Sequence, residues 1–251
     1  DTHSVPSNLT VGIVGDVNPK EVKKLAKIYF GRYKVKQGPP KLNIVEPIQT
    51  ATREITMELP SQPWYIEGYH RPAVNHPDSV IYDMITSILS DGRTSRLYQS
   101  LVEKQQIALV AEGFSGYPGS KYPHLILFYA MTAPNSDIDE VGAALQTEIE
   151  KLKIELVSDE ELDRVKTQAR ASLLRSLDSN MGMASALLNY EVKTGSWQNL
   201  FKELDAINAV TREDIQRVAQ KTFFAENRTI GRLLPKAVSY THLRAHETRC
   251  N

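Results

Sequence analysis

"ILSDGRTSRLYQSLVEKQQIAL", residues 88–109, holds the end of one helix, a stop, a second helix and the start of a β-rich run. Upstream of it, Ile81, Met84, Ile85, Ile88 and Leu89 keep an i, i+3, i+4 apolar face, which predicts a helix beginning near Pro77. Gly92 ends that helix, and "SRLYQSLVEKQ" supplies the next one. Beyond it, "IALVAEGFSGY" and "PHLILFYAMT" are β-rich and joined by a turn bearing glycine and proline, so they pair as a hairpin. The unit in the middle of the chain is therefore helix, helix, hairpin.

Working outward, "REITMEL" and "PWYIEGYH" alternate as two strands separated at Pro60 and Pro63. Downstream, Ile138, Val141, Leu145, Ile149 and Leu152 mark a long helix. Ser158 and Glu161 form a capping box ahead of Leu162, Val165, Ala169 and Leu173. Two or three shorter helices follow, the last capped by Thr211 and Asp214, and "RTIGRLLP" closes as a strand ended by Pro235. Strands and helices come in blocks, with the last strand returning after a long helical excursion. That layout predicts an α+β fold, a mainly antiparallel sheet with helices packed on one face.

The first 40 residues stand apart. Leu9–Val14 is expected as a strand, Gly15-Asp16 as a turn, and Asn18 as the N-cap of a helix with Pro19 at N1, Glu21 at N3 and Gly31 at its end. "KVKQGPPKLNIVEPIQTA" lacks a sustained period and is expected as a linker, which puts a domain boundary near residue 40. The chain starts without Met, about eight residues before the first expected strand, and is read as a piece of a longer protein.

Thirty Lys plus Arg balance 30 Asp plus Glu, and no basic cluster occurs, which argues against a nucleic-acid partner. One cysteine excludes a disulfide framework and a cysteine-rich zinc fold, but leaves the compartment open. No apolar run approaches the roughly 20 residues of a membrane span, so a soluble product is expected. A zinc peptidase needs two histidines on one helix with a glutamate as base, as H-E-x-x-H or H-x-x-E-H, and neither spelling is present. His70, His76 and His124 stand alone and are expected in capping, strand-face or surface roles. "GFSGYPGSKYP" lacks both phosphate-loop spellings and is expected as a hairpin connection.

The order of four phrases says more. "LTVGIVGDVNPKEVKKLAKIYFG", the Pro-rich linker, "ILSDGRTSRLYQSLVEKQQIAL" and "SDEELDRVKTQARASLL" resemble the M16 metallopeptidases, the pitrilysin, insulinase and mitochondrial-processing-peptidase family. The resemblance covers roughly residues 8–235, and its most specific piece is Gly-x-x-Ser-Arg-Leu, Gly92 to Leu97. It implies a LuxS/MPP-like metallohydrolase fold. It further implies that residues 1–40 are the final strand and helix of an N-terminal domain with the start of the linker, and 41–235 the C-terminal domain. In the family the N-terminal domain holds zinc through H-x-x-E-H, so here the zinc ligands are expected upstream of residue 1. The C-terminal domain closes over that site as the wall of a chamber for unfolded peptides. The implied partners are the chain's own N-terminal domain, a second M16 subunit and unfolded peptide substrate. Some members carry an Arg and, seven residues later, a Tyr that contact substrate. These positions map to Val102 and Leu109, neither of which donates a hydrogen bond. The departure implies a zinc-bearing subunit whose partner supplies the pair, or a subunit lacking both.

The leading reading is thus the C-terminal, non-zinc half of a bacterial-type zinc endopeptidase subunit, inactive alone. The alternatives are a non-peptidase assembly protein of the same fold, and an unrelated small-molecule-binding α+β domain. The periplasm is favoured over the cytoplasm. Residues 236–251 lie beyond the resemblance and are read as a non-native or disordered tail. In it His242, His246 and Cys250 fall at i, i+4 and i+8, a metal-like spacing taken as accidental.

Overall fold

The structure is a computed structural model describing residues 3, 5–34, 36–40, 42 and 45–236. His242, His246, Cys250 and the reading of the tail lie outside the described residues from 237 onward. Five strands, β1 (Arg53–Leu59), β2 (Trp64–Arg71), β3 (Ala108–Tyr117), β4 (His124–Thr132) and β5 (Arg228–Pro235), form one sheet in the order β1-β5-β2-β4-β3. Three neighbouring pairs are antiparallel and β1 with β5 is parallel. The returning strand thus wedges between β1 and β2. Pro60 to Pro63 must then bridge two inter-strand spacings, roughly 10 Å, within easy reach of four extended residues.

The helices are α1 (Pro19–Phe30), α2 (Ser79–Ser90), α3 (Ile138–Ile154), α4 (Asp159–Ser176), α5 (Asn180–Thr194), α6 (Glu203–Ala209) and α7 (Arg212–Thr222). α2, α3 and α7 lie on one face of the sheet, and α4 and α6 form a further layer against α2, with α5 beside α4. The core fills the space between sheet and first layer: Ile85, Ile88 and Leu89 of α2, Leu145 and Ile149 of α3, Ile215 and Val218 of α7, and Ile126 and Phe128 of β4 are buried. Removing one such Leu or Ile to Ala costs about 2–5 kcal/mol.

The local signals act as their chemistry requires. Lys20 N donates to Asn18 Oδ1 at 3.0 Å at the start of α1. In the α4 box Glu161 N donates to Ser158 Oγ and Ser158 N to Glu161 Oε2, both at 3.1 Å. Thr211 and Asp214 repeat the arrangement at 3.1 and 3.2 Å before α7.

Two expectations are corrected. Leu9–Val14 is not a strand: it pairs with no strand among the described residues, and Leu9, Val11 and Ile13 are exposed. Apolar alternation makes a strand only where a neighbouring ladder takes up its backbone hydrogen bonds. The second helix of the opening stretch is π-type over Tyr98–Lys104, with Gln105 N donating to Ser100 O at 3.0 Å. The wider turn leaves both Leu97 and Leu101 fully buried before the chain reverses at Gln106, whose φ is 55°.

Candidate functional site

Alternation along the strands divides the sheet into two chemically different faces. Tyr65, Glu67, Tyr69 and Arg71 of β2 point to the helices, opposite Ala130, Phe128, Ile126 and His124 of β4. The other face carries no helix among the described residues and is nevertheless apolar. In register across it, Trp64 lies between Leu233 and Met131, Ile66 between Gly231 and Tyr129, and Phe114 opposite Leu127. Ile55 is 57% exposed, Phe114 42% and Tyr117 53%.

Aromatic rings run across this face in contact. Trp64 and Tyr129 have centroids 5.7 Å apart, Phe114 and Tyr129 6.2 Å, and Phe114 and Tyr117 6.3 Å. Tyr129 OH donates to Glu112 Oε2 at 2.7 Å, tying down a carboxylate on this surface. A face of this composition offers apolar burial and ring stacking to a group laid against it.

Directly beneath, on the helix side, Glu67 is fully buried. Gln146 Nε2 of α3 donates to its Oε1 at 2.5 Å and its Oε2 at 2.7 Å, and the Tyr65 and Tyr69 hydroxyls donate at 3.1 and 3.2 Å. Burial outweighs these donors and pushes the Glu67 carboxyl up to about 7. Burial beside Glu67 raises both tyrosines as well. Arg71 stacks its guanidinium 4.3 Å from the Tyr82 ring centroid and donates to Ser79 Oγ at 3.0 Å and Asp83 Oδ1 at 3.2 Å. These groups hold α2 and α3 against the back of the sheet that presents the apolar face.

Val102 lies half-buried in the π-type helix, packed against the core. Leu109 sits in the bulge between Ala108 and Val110 of β3 and is 50% exposed. Neither side chain can donate to an oxyanion. The Gly-x-x-Ser-Arg-Leu stretch is a structural joint. Gly92 takes φ 73°, which a side chain would disfavour, and Ser95 Oγ donates to its carbonyl at 2.8 Å. Arg96 grips Glu161 of α4 with two bonds of 2.8 Å, and Leu97 enters the core. His70 lies on β2, His124 is buried on β4, and His76 Nδ1 accepts from Asp78 N at 3.1 Å near the start of α2. Among the described residues no group of three or more His, Cys, Asp or Glu is placed to hold a metal ion. No helix among them is long and apolar enough to cross a membrane.

The open face had escaped the sequence reading. Its signal was present in β4, where Leu125, Leu127, Tyr129 and Met131 on one parity are as apolar as Ile126, Phe128 and Ala130 on the other.

Residues 1–169 match the family model described as the peptidase M16 inactive domain. The chain belongs to the peptidase M16 family. This M16 chain is 28% identical over 227 residues to the Helicobacter pylori protein named zinc protease PqqE, covering 87% of the chain and 49% of that protein. A solved protease from Helicobacter pylori aligns at TM-score 0.80 and 27% identity, covering 88% of this chain and 54% of that one. An inactive peptidase domain from Bordetella parapertussis aligns at TM-score 0.64 and 28% identity, covering 72% of this chain and 97% of that one. The M16 chain spans about half the length of the curated relatives it matches.

Proposed function

We propose that this chain is the C-terminal, non-zinc-binding half of a zinc-dependent endopeptidase subunit, and that the open sheet face is a wall of the chamber that receives unfolded peptides. The observation carrying this reading is the exposed apolar face with its row of Trp64, Tyr129, Phe114 and Tyr117 in a member of the M16 inactive domain. Stacking and apolar burial suit an unfolded peptide, whose side chains are available, better than a folded protein, whose apolar side chains are inside. Zinc and the attacking water come from the N-terminal domain that pairs with this one. Neither Val102, packed against the core, nor Leu109, exposed at the β3 bulge, offers a donor, so oxyanion donors come from a second subunit.

The test is a titration of a fluorescently labelled unfolded peptide rich in Leu and Phe into the purified chain. Ile66→Lys and Phe114→Lys each weaken binding about ten-fold, or about 1.4 kcal/mol, by placing a charge in the apolar contact. Arg164→Glu, on α4 of the outer layer, leaves binding unchanged. Equal affinity in all three variants would overturn the assignment of the face, and chelator-sensitive hydrolysis by the chain alone would overturn the division of labour. A non-peptidase assembly role predicts no peptide affinity at this face, so the same titration separates the two readings.

A further inference from the structure

β1 forms one edge of the sheet and β3 the other. The two edges differ. β3 is interrupted between Ala108 and Val110 and again between Ser115 and Tyr117, irregularities that spoil an edge as a template for a further strand. β1 has none: it keeps one unbroken parallel register with β5, from Arg53 opposite Thr229 to Leu59 opposite Pro235, and every residue of it is exposed.

Lys236 N donates to Leu59 O at 2.8 Å, which fixes the direction of the β1 backbone groups. Those of Arg53, Ile55, Met57 and Leu59 turn toward β5, and by alternation the N–H and carbonyl groups of Glu54, Thr56 and Glu58 turn outward. Among the described residues no backbone group meets them. Side chains alternate as well. Ile55, Met57 and Leu59 extend the open apolar face beside Gly231 and Leu233, whereas Glu54, Thr56 and Glu58 stand on the helix side. Arg232 meets Glu54 Oε2 at 2.8 Å, and Glu58 forms no ion pair among the described residues.

We infer that the outer edge of β1 takes up an extended peptide as an added strand, one that alternates basic and apolar residues. A strand laid about 4.8 Å beyond β1 satisfies the outward backbone groups of Glu54, Thr56 and Glu58. Its apolar residues then continue the face made by Ile55 and Met57, and its basic ones stand beside Glu54 and Glu58. A second copy of this chain fits poorly. The antiparallel register that pairs all of β1 with itself sets Glu54 opposite Glu58 twice, and like charges directly opposite destabilise a strand pair. The inference deepens the peptide reading above and rests on it for the kind of occupant: the open face supplies apolar burial, and the β1 edge supplies backbone bonds and the selection of charge.

The experiment is amide hydrogen exchange, followed by NMR of the full chain labelled with 15N. The probes are two acetylated and amidated peptides of about seven residues, one alternating lysine with valine and one alternating glutamate with valine. At saturation the lysine peptide is expected to slow exchange at Glu54, Thr56 and Glu58 about ten-fold and to leave Ile55 and Met57, already bonded to β5, unchanged. The glutamate peptide is expected to bind about ten-fold more weakly. Thr56→Pro removes an outward N–H and no bond to β5, as an edge position allows, and is expected to lose about five-fold in affinity with Ile55 and Met57 still protected. The inference fails if the lysine peptide leaves the three amides unprotected, if both peptides bind equally, or if Thr56→Pro binds like wild type. It also fails if the three amides are protected without peptide and more so as the chain concentration rises, which would put a second copy at the edge. Where Thr56→Pro does not fold, the wild-type exchange pattern still decides. Unchanged binding in Thr56→Pro together with weakened binding in Ile66→Lys removes the edge and keeps the open face, so the two failures are distinguishable.

Discussion

Replacing Glu67 by glutamine removes a carboxyl group that the fold holds at about 7 instead of its ordinary 4.5. At about 1.4 kcal/mol for each pH unit, that displacement corresponds to about 3 kcal/mol of stability. Below the ordinary value the carboxyl is neutral in both folded and unfolded chains, and the full stability is present. Between 4.5 and about 7 the folded chain keeps a proton that the unfolded chain releases, so stability falls as pH rises, and it levels off above the folded value. Other groups titrate too. Hydrogen bonds from Arg217 hold Asp78 and Asp214 below the usual carboxylate range, and Arg96 does the same for Glu161, so their contributions are lost only at more acidic pH. Burial lowers His124, which makes stability rise with pH near neutrality. Comparing wild type with Glu67→Gln cancels these shared contributions. Urea unfolding followed by Trp64 and Trp197 fluorescence at pH 5, 6, 7 and 8 is expected to show the wild type losing about 2.5 kcal/mol of this relative to the variant across the series, the remainder falling outside that window. Parallel curves for the two proteins would refute the reasoning.

Three further substitutions test the packing. Ser158→Ala removes the hydroxyl that accepts from Glu161 N in the α4 capping box, leaving the Ser158 N–H donation to Glu161, and is expected to cost about 1 kcal/mol in thermal unfolding; an unchanged melting temperature would show the cap is redundant. Gly142→Ala drives a methyl group into the Tyr65 ring, where α3 meets β2, and is expected to cost about 1–3 kcal/mol in urea unfolding; a neutral result would mean the ring yields freely. Gln106→Gly relieves a left-handed residue at φ 55°, and after the entropy of an added glycine a gain of about 0.5 kcal/mol is expected; a loss would point to a contact of the Gln106 side chain.

The parts of the fold legible in the sequence are those set by neighbours along the chain. Ser158 and Glu161 find each other three residues apart, the apolar face from Ile81 to Leu89 needs only helical periodicity, and the hairpin of β3 and β4 needs only a turn. The class and the one-sided helices follow from the order of such pieces. What escaped depends on distant partners. β5 pairs with β1 and β2 from more than 150 residues away, and nothing local in "RTIGRLLP" marks its place between them. Leu9–Val14 has strand-like alternation but no ladder to join among the described residues. The apolar face was equally hidden, because a strand apolar on both parities, as β4 is, predicts burial on both sides when seen alone. Family likeness drew attention to Val102 and Leu109, whereas the aromatic row emerged only when three strands were laid side by side.

The most direct measurement is photo-crosslinking of the chain to an unfolded apolar peptide carrying a photoreactive phenylalanine, with the attachment sites mapped by mass spectrometry. The account predicts attachment at Trp64, Ile66, Phe114 and Tyr129, competed by the same peptide without the photoreactive group. Attachment concentrated on the outer helices α4 and α5, or attachment that the competitor does not reduce, would contradict it.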